Sequence, residues 1–312
     1  MRPLLRPGRW ILQRLRPPPL GWHDLGALTP PLLFFGGPYS NLHATTALVK
    51  HARTLGIAGS SCICTGDVVA YGAHPQETVG VLRELGCHVV SGNCEEAFSS
   101  RSADCGCGFA EGSRCDILSA RWMDYTRQNL DDDACAWMST LPSGIRFSVG
   151  GVNFFATHGA PSQVNRFIFD STDASVKLRE CANAEADVII AGHCGLPFTN
   201  EIGTSIWHNP GVIGLPANDG TPRTWFSTLS EDEDGLRLET TPLDYDHTAA
   251  QTQMRRAGLP EEYATTLSTG LWDNCEILPA AETRAQGAAL TAISIALPAR
   301  RRPSKISAFA GA

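Results

Sequence analysis

The sequence lacks any apolar run approaching the ~20 residues needed to cross a bilayer. Its longest uncharged stretch near the C-terminus, 285–299, runs into Arg300, Arg301 and Arg302. It also lacks a basic surplus: 25 Lys and Arg stand against 32 Asp and Glu, for a net charge of -7. With both signs mixed along the chain and a pI of about 5.7, no basic face for nucleic acid is indicated. Missing too is the secretory pattern of a basic start, an apolar run and a small-residue cleavage site. The 11 cysteines are odd in number, which argues against a complete disulfide framework and for free thiols or thiolate metal ligands in a cytoplasmic protein. No repeat points to a solenoid. What is present is apolar content enough for a large core, 43% hydrophobic against 18% charged.

The start carries Arg2, Arg6, Arg9, Arg14 and Arg16, no acid, and the run 17–19 of prolines. Those prolines and the absence of Ser and Thr speak against an amphipathic targeting helix. Residues 1–30 are expected to be a poorly ordered extension and 286–312, with Lys305 among its charges, a flexible tail. Between them, 31–285 is expected to be one domain. Short apolar runs (31–35, 61–65, 88–90, 152–156, 187–191, 204–207) alternate with helical stretches at 41–55 and 78–85. Strands separated by helices predict an α/β fold with parallel pairing. Residues 223–241 read as a hairpin around an acidic turn. The polar, Cys-bearing middle, 99–145, reads as an insertion or cap over the sheet, helical over 121–138.

Chemistry concentrates where the strands end. Gly66-Asp67, Gly92-Asn93, His158-Gly159 and Gly192-His193 each close a predicted strand, and Asn209-Pro210-Gly211 closes another. The carboxyl ends of strands in an open α/β sheet line one crevice. Asp67, Asn93, His158 and His193 would then offer a carboxylate, an amide oxygen and two imidazoles, a set for Mn²⁺, Fe²⁺ or Zn²⁺ rather than a calcium cage. Singly, each is an ordinary turn or capping residue; four in succession beside glycines call for a shared explanation.

These ordered motifs, together with "TGDVVAYGAHPQETV" and "GGPYSNLHA", resemble the calcineurin-like metallophosphoesterases, closest to their small bacterial and archaeal phosphodiesterase-type branch. The resemblance covers roughly 31–230. It implies a layered αββα sandwich with mixed sheets, a site for two metals, and hydrolysis of a phosphorylated small molecule. By resemblance Asp67 is the bridging ligand, and Asn93, His158 and His193 complete the second metal site. The departures cluster. Where the family has Asp-x-His, this chain has Gly37 and Tyr39; Gly195 replaces the last His of Gly-His-x-His. Those three are the ligands private to the first metal, so the resemblance implies a site holding one metal per chain, or a rebuilt one. Cys94 stands where the family keeps a His that protonates the leaving group or steadies the attacked phosphate, and Asp67, Cys94 and His158 are the catalytic candidates.

Further candidates are open. Tyr39, Cys94, Cys194 or the cluster of Cys105, Cys107 and Cys115 would give a softer rebuilt site, or the cluster is plain packing. His208 is a phosphate stabiliser, a replacement ligand or a packed ring. Asn41, entering a helix, is a candidate phosphate binder, and Arg166 a candidate phosphate clamp. Three functions follow: a metal-dependent hydrolase of a phosphomonoester or phosphodiester; an inactive relative binding a metal or phospho-ligand; or a thiolate-metal redox protein on the same scaffold.

Overall fold

In β2 (Leu32–Phe35) all four side chains are buried, Leu32 and Phe34 packing into one core cluster and Leu33 and Phe35 into another. A strand covered on both faces belongs inside a layered fold. The computed structural model describes residues 21–297; the Arg-rich start and the last residues of the tail lie outside the described residues. Two mixed sheets of six strands face each other. One runs in the order β1 (Trp22–Ala27), β5 (Gly144–Val149), β6 (Val152–Thr157), β7 (Val188–Ala191), β9 (Ser205–Asn209), β8 (Phe198–Ile202). The other runs β12 (Ile293–Ala296), β11 (Gly235–Leu243), β10 (Thr224–Asp232), then β2, β3 (Cys62–Cys64) and β4 (His88–Val89). The pairs β2–β3, β3–β4 and β6–β7 are parallel, each joined by a crossover helix, and β7–β9 is parallel with β8 between them in the chain.

Aromatic and branched side chains fill the space between the sheets: the rings of Phe34 and Phe147 lie 6.1 Å apart, and Phe147 stacks on Phe154 at 5.0 Å. Helices α1 (Leu42–Thr54), α2 (Pro75–Leu85), α3 (Asn93–Ser99), α4 (Arg114–Gln128), α5 (Asp132–Met138), α7 (His247–Arg256) and α8 (Glu261–Thr269) cover the outer face of the second sheet. Helix α6 (Ala174–Ala184) covers the first, and the short α9 (Ala280–Arg284) is tied to it by Glu282, which accepts from Ser171 N at 2.9 Å. The result is the expected αββα sandwich.

Several segments differ from expectation. The stretch 1–30 contains β1, which pairs in parallel with β5, and the stretch 286–312 contains β12, which pairs with β11. The helix expected over 121–138 is two helices, because Asp131 caps the second by accepting from Ala134 N at 2.7 Å. Within 99–145, α4 and α5 join the helical layer through Trp122, Met123 and Met138, and the loop before α4 reaches the pocket described below. Asn41 is wholly used as a helix cap: its Oδ1 accepts from Ala44 N at 3.1 Å and its Nδ2 donates to Gly214 O at 3.0 Å. It binds this chain, not a phosphate.

His208 is likewise a structural residue. On β9, it bridges the sheets: Nδ1 meets Thr199 Oγ1 and Nε2 meets Ser227 Oγ, both at 2.8 Å. Two hydroxyls and full burial leave no charge to stabilise an imidazolium, and burial lowers its pKa from 6.5 to about 3. The native ring therefore refuses a proton that the unfolded chain accepts once pH drops below about 6.5. Stability should fall as pH goes from about 6.5 toward 3, by on the order of 3–5 kcal/mol from this residue. Denaturant melts of the wild type and His208→Gln across that range would isolate it. A variant as acid-sensitive as the wild type would refute the assignment.

Candidate metal centre

Asp67 follows β3, and Asn93 follows β4 at the first turn of α3; both belong to the second sheet. His158 follows β6 and His193 follows β7, in the first sheet. The crevice is therefore the seam between two sheets rather than the edge of one. Left-handed backbone turns the side chains inward: Asp67 has φ 55 and His193 φ 62, conformations that non-glycine residues hold only where the surroundings impose them. Gly92 is required for the approach, since a Cβ there would lie 2.5 Å from Asp67 Oδ1 and 2.9 Å from Glu95 Oε2.

The four side chains meet around His158. Its Nδ1 lies 2.7 Å from Thr65 O; a carbonyl only accepts, so Nδ1 carries the proton and Nε2 of the neutral ring is a lone pair. That lone pair faces Asn93 Oδ1 at 3.0 Å, His193 Nδ1 at 3.0 Å and Asp67 Oδ2 at 3.3 Å. The Asn93 amide is oriented by Nδ2, which donates to Cys105 O at 2.7 Å. Apart from the one proton that the neutral His193 ring carries on either nitrogen, acceptor atoms converge here, an arrangement that suits a proton on Nε2 or a cation. Burial alone would lower the His158 pKa, but the Asp67 carboxylate outweighs it and raises it; in return His158 overcomes burial and holds Asp67 below the usual carboxylate range. Burial and then His158 lower His193 to about 3, so its ring is neutral. His193 stacks on Phe167 at 4.1 Å. Its Nε2 makes no hydrogen bond of normal geometry, the Asn165 backbone favouring its proton without aligning to it. Asp67, His158 and His193 are the described His, Cys, Asp and Glu residues able to share an ion, their ligand atoms within 4.8 Å of one another. With the Asn93 oxygen, this set fits a divalent transition metal.

Position 37 has no room for a side chain. A Cβ on Gly37 would lie 2.5 Å from Tyr39 Cζ and 2.7 Å from Val212 Cγ1. The Tyr39 ring occupies the space a side chain at 37 would enter, and Tyr39 itself has φ 50.

Glu95, which sequence reasoning missed, supports the Asp67 turn from below. Its Oε2 accepts from Asp67 N and Gly92 N, both at 2.8 Å, and its Oε1 from Val68 N at 2.7 Å. The signal was faint: an acid three residues after a helix N-cap is the reach-back half of a capping box, but with Gly92 in place of Ser or Thr the pattern does not announce itself.

Other candidates fall differently. Cys94 packs into the core and does not line the pocket; its N donates to Asp67 Oδ1 at 3.2 Å, and burial pushes its thiol up. Its Sγ lies 3.7 Å from Asn93 Nδ2, and its side-chain hydrogen bond to Asp67 adds to the upward push. Arg166 is drawn away by buried Glu180, whose Oε1 it meets at 2.8 Å, and it does not line the pocket. Tyr39, Cys107, Cys115 and Cys194 do line it. Cys105 lies behind, its Sγ 2.6 Å from Cys107 Sγ. Their mutual hydrogen bond, the largest influence on each, lowers Cys105 and raises Cys107. Burial raises Cys194 to about 12 and Cys115 to about 11, so these two are thiols, not thiolates.

A pocket with a cavity volume of about 90 Å³ opens from Asp67 and His193. A model of the calcineurin-like phosphoesterase superfamily domain matches residues 37–232. An uncharacterized protein of Methanocaldococcus jannaschii is 25% identical over 250 residues, 74% of this chain and 95% of that protein. Among solved structures, a metallophosphoesterase from Sphaerobacter thermophilus superposes with a TM-score of 0.60 at 22% identity, over 78% of this chain and 100% of that one. A hypothetical protein from Pyrococcus horikoshii OT3 does so with a TM-score of 0.66 at 17% identity, over 78% and 100%. At such identities the two structures speak for the fold.

Proposed function

The chain belongs to the calcineurin-like phosphoesterase superfamily, and from that premise we propose that it hydrolyses a phosphoric ester using one divalent transition metal. Asp67, Asn93, His158 and His193 hold the ion, and the convergence of their acceptor atoms on His158 Nε2 is the observation that carries the reading. When bound, the metal supplies Lewis acidity toward water and a phosphoryl oxygen. The chain does the rest. The Thr65 carbonyl keeps the His158 proton on Nδ1, so Nε2 is always presented as a donor pair. Glu95 fixes the Asp67 turn through three backbone N–H groups. Tyr39 lines the pocket as a neutral phenol, its pKa pushed up by burial and then by Asp67. Standing where a first metal's ligands would stand, it offers an O–H to a phosphoryl oxygen. The departing oxygen takes its proton from Tyr39 or solvent.

Elemental analysis of the purified, metal-saturated chain should find one transition-metal ion per molecule, because Gly37, Tyr39 and Gly195 stand where the family's other metal would find its private ligands. Two ions per molecule would show the ligand accounting to be wrong. One ion with no hydrolysis of a broad panel of phosphoesters would make the chain a binder rather than an enzyme.

A further inference from the structure

Among the described residues, no Lys or Arg lines the pocket beside the proposed metal ligands. The nearest visible candidate, Arg114, is consumed by the lining acid Asp273 and by Glu262, the latter at 3.0 Å. Sites for highly charged phosphates ordinarily recruit such cations. Here the walls are aromatic: Tyr71, Phe109, Phe167, Tyr263 and Trp272. The rings of Tyr71 and Tyr263 sit 4.6 Å apart. Trp272 is held in place at both ends, Nε1 donating to Pro216 O at 2.8 Å and its backbone N to Asn218 Oδ1 at 2.8 Å. Burial pushes the phenols of Tyr71 and Tyr263 up, so neither can become an anion facing a phosphate. Tyr263 and Trp272 come from the segment after residue 232, where the superfamily match ends. The C-terminal segment thus adds a wall to a site whose ligands the common domain provides.

Charge restricts what this pocket accepts. A divalent cation against the carboxylate of Asp67 leaves about one positive charge; the other lining carboxylate, Asp273, is paired with Arg114, and no described side chain in the lining adds a second positive charge. A monoanion is balanced there; a dianion would bring an uncompensated charge into apolar surroundings, which is costly. Planar rings then gain most from the aromatic walls.

We propose that the pocket selects a phosphodiester bearing a planar aromatic group, with Trp272 and Tyr263 as specificity-determining residues. The proposal rests on the phosphoesterase reading and names its substrate class. Hydrolysis would add water across one P–O bond: oxygen to phosphorus, and the proton to the departing alcohol, leaving a phosphomonoester.

Binding of three probes to the Mn²⁺-loaded full chain, measured by titration calorimetry, tests this directly: diphenyl phosphate, dimethyl phosphate and the dianion phenyl phosphate. Diphenyl phosphate should bind at least about tenfold tighter than either of the others, the gain expected from burying one ring. Trp272→Ala should bring diphenyl phosphate down to the level of dimethyl phosphate while leaving dimethyl phosphate unchanged. If that variant melts early, Phe109→Ala, on the facing and partly exposed loop, should reduce the same preference. Equal binding of the diphenyl and dimethyl esters, or tighter binding of phenyl phosphate, would overturn the proposal even if hydrolysis is observed. The aryl preference without any hydrolysis would uphold it and remove the catalytic reading instead.

Discussion

His158→Ala is expected to empty the metal centre and abolish phosphoester hydrolysis. The residue contributes more than a ligand atom. Its ring is the hub on which Asp67, Asn93 and His193 converge, and its Nδ1–H ties the first sheet to the Thr65 carbonyl of the second. Even partners that merely orient a ligand are worth about 10–100-fold in metal affinity, so loss of the hub should exceed 100-fold in both metal affinity and kcat/KM. Burial of the Thr65 carbonyl without its donor adds a stability loss of about 1–3 kcal/mol. His158→Gln separates the two effects, since a side-chain amide can still reach a carbonyl while being a poorer metal donor. Elemental analysis and hydrolysis of an aryl phosphate are the readouts. A His158→Ala protein that keeps its metal and its rate would end the proposed mechanism.

How much of this was readable beforehand depends on whether a residue's partner is local. Strand ends marked by Gly66-Asp67 or Gly192-His193 are local patterns, because the tight turn that presents the side chain is written in adjacent residues. The layered α/β fold followed for the same reason, from runs such as 61–65 set between the helical stretches 41–55 and 78–85. That the four side chains come from two facing sheets was not legible: nothing in a strand names the sheet it joins. Partners distant in sequence decided the other cases. Arg166 was a free cation on paper until Glu180 took it, and His208 was a candidate ligand until Thr199 and Ser227 enclosed it. Cys94 occupied a position of chemical interest, but its side chain packs into the core. The aromatic wall from Tyr263 and Trp272 had no motif, since residues there share only a pocket, not a spacing. Strand β8, reading FTNEI with a half-exposed middle, lacked the apolar run by which the other strands were found.

Glu95 carries the second large effect. Removing its carboxylate orphans three buried N–H groups, those of Asp67, Val68 and Gly92, at the turn that aims the metal's carboxylate. Glu95→Ala should weaken metal binding about 10–100-fold and destabilise the fold by several kcal/mol. Glu95→Gln is no rescue, because its NH₂ must face N–H groups on one side or the other. The pH dependence separates this role from simple packing. Burial, and then the nearby Asp67, push Glu95 from 4.5 up to about 7 in the metal-free fold. Between about 4.5 and 7 the native carboxyl therefore keeps a proton that the unfolded chain has released, and rising pH favours the unfolded state. The stability gap between wild type and Glu95→Ala should accordingly narrow as pH climbs through that window, opposite in sign to the acid loss expected at His208. Denaturant melts of both metal-free proteins at a series of pH values would show it. A gap that stays constant would mean the three N–H groups keep Glu95 ionised throughout, outweighing both its burial and the charge of Asp67.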